Sequence, residues 1–248
     1  NDVSERETKS ILARDAEDGE KLAEGIQIAI KKQVIPAEVT VEPINKINVM
    51  GKSADIVAGE IIQALGPAAQ TGCILILQGL SGTGKGTTVD ILKSRLPKAV
   101  TWSNGNLFRA LTLLATTYAE QNQVPLDKAL TPANLQSFVK MLSFAKHNGK
   151  DFDVRIQGLG IDALVANIAN TTLKNSTVSS NIPTVARLTQ GEVINFVGGA
   201  LRQMAEDGCS VLLEGREQTL NYIRSPHRFE LVLSDNAIIG KRRAAQRI

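Results

Sequence analysis

The chain has 248 residues, 43% hydrophobic but only 4% aromatic, and a formal net charge of +3, with an isoelectric point near 8.9. That length suits one large core or two small ones built from Val, Ile, Leu and Ala in a soluble, globular α/β protein, and the charge would suit an anionic substrate but is too mild to argue for a nucleic-acid binder. No apolar run is long enough to cross a membrane, and two cysteines, Cys73 and Cys209, argue against a disulfide framework or a metal site.

Those cysteines each adjoin an apolar run, which points to a reducing, intracellular compartment, the cytoplasm or an organelle matrix. No charged-then-apolar leader opens the chain, and a first residue of Asn1 suggests a processed or partial one. Glycosylation-type tripeptides at Asn170 and Asn175 carry no weight in such a compartment.

Ser4 to Lys32 is charged and helical in tendency, with Ile11, Leu12, Leu22, Ile26 and Ile30 as an apolar stripe that Gly19 and Gly25 interrupt. It contains RDAEDGEK, Arg14 to Lys21, which by charge pattern alone is a solvated helix face. Pro36 ends the helix, Val39 to Val41 alternates like a short edge strand, and Ile47 to Met50 suggests another. Ser53 then caps a helix from Ala54 to Leu65, and LGPAAQTG links it to the next run.

Ile74 to Thr88, ILILQGLSGTGKGTT, is an apolar run followed by a glycine-rich turn with one lysine. The run predicts a buried parallel strand, and Thr87 onward an amphipathic helix. Gly79, Gly82, Gly84 and Gly86 allow backbone N–H groups to point inward at the helix N-terminus, where a polyphosphate is favoured. Lys85 in that context reaches the β- and γ-phosphates of ATP, and Thr87 helps to hold Mg²⁺. A glycine-rich αβ turn with a solvated lysine is the plainer alternative.

Beyond this loop, Ala99 to Trp102 reads as a strand and Ser103 to Gln121 as a polar turn leading into a helix. Arg109 on that helix is placed to grip a phosphate near the strand ends, or is an exposed helix arginine. Thr131-Pro132 starts a helix through Leu135, Phe138, Val139, Leu142 and Phe144, and Asp151 to Gln157 alternates like an exposed strand before a turn at Gly158 and Gly160. Ile161 to Leu173 reads as helical, as does Val185 to Met204, which follows Pro183. Val211 to Leu213 is a buried strand ending in EGRE; Glu214 there suits a hydrated Mg²⁺ and Arg216 a transferring phosphate, with a loop ion pair as the alternative. Phe229 to Leu233 is the next strand, and Ala237 to Ile248 a helix carrying Lys241, Arg242 and Arg243, either a solvated face or a nucleotide contact.

The form GxxGxGKGT is similar to the nucleoside-monophosphate kinases, and Ile74 to Ile248 resembles the cytidylate kinases in three places. These are GLSGTGKGTT (their phosphate loop), SNGNLFRALTLLA (their NMP-binding turn and helix) and VLLEGRE (their strand ending in Asp-Gly-Arg-Asp). The family's lid, fifth strand and final helix do not follow Ile248, but Asn1 to Leu65 resembles them: RDAEDGEK is similar to the lid signature R-D-x-x-D-x-x-R, and KINVMGKSADIVAGEIIQAL to the last strand and helix. The resemblance therefore implies a P-loop NTPase three-layer α/β fold with a five-stranded parallel sheet, a small NMP-binding insert and a lid, in circularly permuted order. A tandem array of kinase domains cut in each lid loop, or a fragment spanning two domains, gives the same order.

On this resemblance residues 1–65 hold the lid, fifth strand and closing helix, 66–72 a linker, 73–130 the phosphate-loop core, 131–180 the NMP-binding insert, and 181–248 the remaining core strands and the start of the lid, all one domain. It implies ATP-dependent phosphorylation of CMP or dCMP without a nucleic-acid or membrane partner. Gly79, Ser81, Gly82, Thr83, Gly84, Lys85, Gly86, Thr87, Thr88, Arg242 and Arg243 would bind ATP, with Thr87 and Glu214 at Mg²⁺. Lys85, Arg14, Lys21 and Arg216 would act on the group in flight, while Arg109, Arg216 and Arg14 take the acceptor phosphate, Asp18 the sugar, and Asn104 and Glu217 the base.

Several positions depart from that pattern. Glu214 and Glu217 replace aspartates, Lys21 and Gly240 replace arginines, and around Leu164 and Ile168 the insert lacks the family's serine and arginine. A weakened kinase fold serving as a structural or nucleotide-sensing subunit is the rival expectation, and a related small-molecule kinase is another.

Overall fold

The computed structural model describes residues 2–147, 149 and 151–234, with the side chains of residues 2–9, 11, 12, 14, 15 and 18 excepted. The elements in chain order are α1 (Asp2–Lys31), β1 (Ile44–Asn48), α2 (Ala54–Leu65), α3 (Ala68–Thr71), β2 (Cys73–Gly79), α4 (Lys85–Arg95), β3 (Ala99–Trp102), α5 (Gly105–Gln121), α6 (Leu126–Ala129), α7 (Pro132–Lys140), β4 (Leu142–His147), β5 (Asp151–Gly158), β6 (Ile161–Leu164), α8 (Val165–Ile168), a 3-10 turn (Thr172–Lys174), α9 (Ser176–Leu188), α10 (Gln190–Glu206), β7 (Ser210–Glu214), α11 (Glu217–Leu220) and β8 (His227–Val232). They form two compact units, the first from residues up to Ala23, Glu38–Trp102 and Leu201 onward, the second from Glu24–Ala37 and Ser103–Ala200.

The first unit is a five-stranded, all-parallel sheet in the order β1-β8-β2-β7-β3, flanked by helices. Six of the seven residues of β2 are buried, as the unbroken apolar run predicts for a central strand of a parallel sheet. Leu75 and Leu77 of β2, Phe229 and Leu231 of β8 and Leu212 of β7 share one core with Ile61 and Leu65 of α2 and Leu92 of α4. The cap predicted at Ser53 is formed: its side chain accepts from the Ile56 N–H at 3.3 Å. The linker expected at 66–72 contains the single turn α3. No strand forms at Val39 to Val41, whereas the strand expected at Ile47 to Met50 is β1, which begins earlier and pairs with β8 alone.

The second unit contains a three-stranded antiparallel sheet, β4-β5-β6, which corrects two expectations. Leu142 and Phe144 leave the predicted helix at Lys140 and become β4, and Ile161 to Leu164, expected as helix, becomes β6. Their strand state is set by pairing: Leu142 lies opposite Ile156, and Ala163 lies opposite Ile156 on its other side. Leu159 and Gly160 have φ of 52° and 79°, the positive pair that a two-residue hairpin needs. Arg155 donates to both carboxylate oxygens of Asp162 at 2.7 Å across that hairpin. Helix α9 begins before Pro183 and carries it inside. Gly25 and Gly191 mark close packing, since a Cβ at Gly25 would fall 2.6 Å from Gln190 Cγ and one at Gly191 2.7 Å from Ala29 Cβ.

Candidate phosphate-binding site

The site begins where β2 ends. Gly79 has φ of 145°, and a Cβ there would lie 2.6 Å from the Leu231 carbonyl oxygen on β8, so the strand leaves the sheet through a residue that only glycine fits. Thr83 is buried and closes the next turn by donating from both its N–H and its hydroxyl to the Leu80 carbonyl. Gly82 and Gly84 have φ of 85° and 91°, and Gly84 is the N-cap of α4 without a side-chain cap hydrogen bond. Gly84 has no side chain to cap α4, and the helix dipole makes that end attractive to an anion.

Lys85 folds back over the loop, donating to the carbonyls of Gly79 at 2.7 Å and Leu80 at 2.9 Å. Gly86 and Thr87 are exposed on the first turn of α4, and Ser81 is half-buried in the loop. Thr88 is buried, with its hydroxyl donating to the Gly84 carbonyl at 2.9 Å. Of the two adjacent threonines, Thr87 is thus the one that faces solvent.

Glu214 ends β7 opposite Leu77 of β2, exposed at the C-terminal edge of the sheet where ligands of open α/β folds bind. Arg216 is the half-buried N-cap residue of α11, and Glu217 is the exposed first residue of that turn. A cleft of about 200 Å³ brings both together with Gly79 and Leu80; Gln78, Gln218, Glu230 of β8 and Gly19 of α1 complete its wall. Leu80 is 44% exposed.

Not every expected residue reaches this description. Lys21 pairs with Glu17 at 2.7 Å on an exposed face of α1, and this hydrogen bond holds the Glu17 carboxyl below its usual range. Arg14 and Asp18 lie on the same helix, but their side chains are outside the described residues, as are Arg242 and Arg243. Asn104 and Arg109 belong to the second unit. Asn104 occupies the N-cap position of α5 without a side-chain cap bond, and Arg109 donates to Asn106 Oδ1 at 3.3 Å.

Three features of the first unit escape the sequence pattern. Gln78 is only 5% exposed, and its Oε1 has no hydrogen-bond partner among the described residues. Glu230 lies beside Gln78 in register and pairs on its other side with Lys46 at 3.5 Å, so a polar row crosses three parallel strands to the cleft. Arg228, in the middle of the sheet, is fully buried with Glu42 as its nearest acid at 3.8 Å. Burial pulls its guanidinium below the ordinary value. Burial pushes Glu42 up, but hydrogen bonds from Arg224 and the backbone outweigh that and hold it low. An amide inside an otherwise apolar strand was the available signal for Gln78, whereas Arg228 shares its strand with His227 and Glu230 and does not stand out.

Both cysteines are reduced and buried, and burial pushes the Cys73 thiol up to about 11. Among the described residues no helix is long and apolar enough to cross a membrane, and no group of three His, Cys, Asp or Glu is placed to hold a metal ion. Comparison with protein-family models and with curated proteins finds no match.

Proposed function

We propose that this chain transfers the γ-phosphoryl group of ATP to a nucleoside monophosphate, CMP or dCMP, on a kinase fold whose elements run in permuted order. The observation that carries the reading is the β2–loop–α4 unit: three positive-φ glycines, a helix N-terminus without a side-chain cap, and Lys85 on the loop, at the carboxyl edge of a parallel sheet. The strand order supports the permuted arrangement, because the chain's first strand sits at the sheet edge beside its last described one. A cleaved tandem array would produce the same pairing.

Phosphoryl transfer asks little covalent chemistry of the protein; positioning and charge neutralisation carry the rate. In this reading the α4 amides cradle the ATP phosphates, and Lys85 exchanges its two loop carbonyls for phosphate oxygens. Bound Mg²⁺ would neutralise charge between the β- and γ-phosphates. The exposed Thr87 hydroxyl and the Glu214 carboxylate fit it as hard oxygen donors, with water completing the shell. Arg216 meets the transferring group, and Arg14 and Lys21 add positive charge toward the acceptor, with Asp18 assigned to its sugar and Glu217 to its base. Ser81 adds a loop hydroxyl, whereas Thr88, buried with its N–H and hydroxyl both on the Gly84 carbonyl, braces the loop from behind.

The test is ADP release from ATP and Mg²⁺ with CMP, dCMP, UMP, AMP or no acceptor. Turnover with CMP or dCMP, lost in Lys85→Ala, is the expected result; activity unchanged by that substitution would remove the mechanism. The cleft also favours a second reading, because Glu217 and Glu230 set two carboxylates beside Arg216 where an acceptor phosphate would approach. ATP binding with no turnover on any acceptor would support a structural or nucleotide-sensing subunit, in tandem copies or within an assembly.

A further inference from the structure

We propose that Arg228 is a positioning residue, a buried guanidinium that holds the segment carrying Arg216 and Glu217 against the sheet; the catalytic part of this inference rests on the kinase reading. Arg228 is 0% exposed on β8, where an aliphatic side chain would serve packing alone. Its hydrogen bonds go to one turn: Nη1 donates to the Ile223 carbonyl at 2.7 Å, and Nη2 to the Leu220 carbonyl at 2.8 Å and Asn221 Oδ1 at 3.2 Å. Its nearest carboxylate, Glu42, lies at 3.8 Å and is already hydrogen-bonded by Arg224 Nε at 2.5 Å. Glu42 balances the charge at ion-pair distance, but every hydrogen bond of the buried guanidinium goes to the turn, and those bonds fix the place of its carbonyls.

That placement passes directly to the site. The Leu220 N–H donates to the Arg216 carbonyl at 3.0 Å, and Thr219 donates to the same oxygen from its N–H at 3.1 Å and its hydroxyl at 3.0 Å. Leu220 is buried, 3.5 Å from where a Gly215 Cβ would stand. Beyond the turn, Ser225 donates its hydroxyl to the Ile74 carbonyl of β2. A shift of Leu220 therefore moves Arg216, and nothing but Arg228 supplies side-chain hydrogen bonds to the 220 and 223 carbonyls among the described contacts.

The experiment compares Arg228→Lys, Asn221→Ala and a control, Ile61→Ala, which weakens the core under α2 without touching this segment. Hydrogen exchange of the 216–223 amides is read beside that of β3, with KM for CMP and for ATP. Arg228→Lys should speed exchange at 219–223 by about tenfold or more relative to β3. It should raise the CMP KM by about tenfold while leaving the ATP KM within about twofold. Asn221→Ala should move both readouts the same way by less, and Ile61→Ala should leave the ratio of KM values alone. Unchanged exchange at 219–223 in both variants overturns the proposal, as does an Ile61→Ala control that reproduces the KM split. If the wild type turns over no acceptor, the kinase reading fails, and the exchange arm still decides whether Arg228 holds the segment.

Discussion

Gly79 and Gly86 occupy the two ends of one loop, yet a methyl group meets opposite surroundings there. At Gly79 it would press on the Leu231 carbonyl at 2.6 Å, in a backbone region closed to other residues, whereas at Gly86 nothing lies within 4 Å. Gly79→Ala should therefore destabilise the protein by about 1–3 kcal/mol in urea unfolding. Gly86→Ala, on the first turn of a helix, should stabilise it by about 0.4–1 kcal/mol through the unfolded chain. If a phosphate approaches that turn as proposed, the same Gly86→Ala must weaken ATP binding although it strengthens the fold. An alanine that stabilises and leaves the ATP KM untouched would mean that the helix N-terminus meets no nucleotide.

At the scale of elements, the helix N-termini divide by what satisfies them. Ser53, Thr131 and Asn175 cap α2, α7 and α9 with side-chain oxygens, while Gly84 provides none for α4. In α10 the first turn carries Glu192, 8% exposed, with Oε2 unpartnered among the described residues. Burial raises its carboxyl above the usual 4.5, against smaller opposing effects from the backbone and Lys32. Between pH 4.5 and the raised value the folded chain binds more protons than the unfolded one, so this group's contribution falls as pH rises through that window. Glu192→Gln should thus gain about 1 kcal/mol at neutral pH and flatten stability against pH just above 4.5. A variant less stable than wild type at pH 7 would show that the charge is compensated.

The same scale shows what was legible. Local signals placed α2 and β3 at their observed bounds: a Ser cap before an apolar stripe, and a four-residue run between a turn and a polar segment. The glycine loop was legible because its chemistry is local, each positive-φ position being a glycine. β4 and β6 were not, since Leu142, Phe144 and Ile161 suit either periodicity and their state is decided by partners across the sheet. Arg228 escaped for the same reason: its meaning lies in the carbonyls of a turn that the sequence does not mark.

For the whole molecule, chain order is a poor guide to neighbourhood. β1, first of the strands, lies along β8, with Ile44 opposite Arg228 and Asn48 opposite Val232, while α2 covers the core that β2 and β8 share. A chain beginning at Gly66 would lose β1, α2 and Glu42 together, baring the β8 edge and uncovering the face on which Val57, Ala58, Ile61 and Leu65 pack. The lost burial, about 1.5–3 kcal/mol for each large aliphatic side chain, rivals the net stability of an ordinary domain. Such a truncation should show no cooperative unfolding transition by circular dichroism, and adding the 1–65 segment in trans should restore one, since the permuted reading makes the two pieces parts of a single sheet. If the truncated chain unfolds cooperatively and still releases ADP, the amino-terminal elements are an appendage, and the kinase fold must be sought wholly after Gly66.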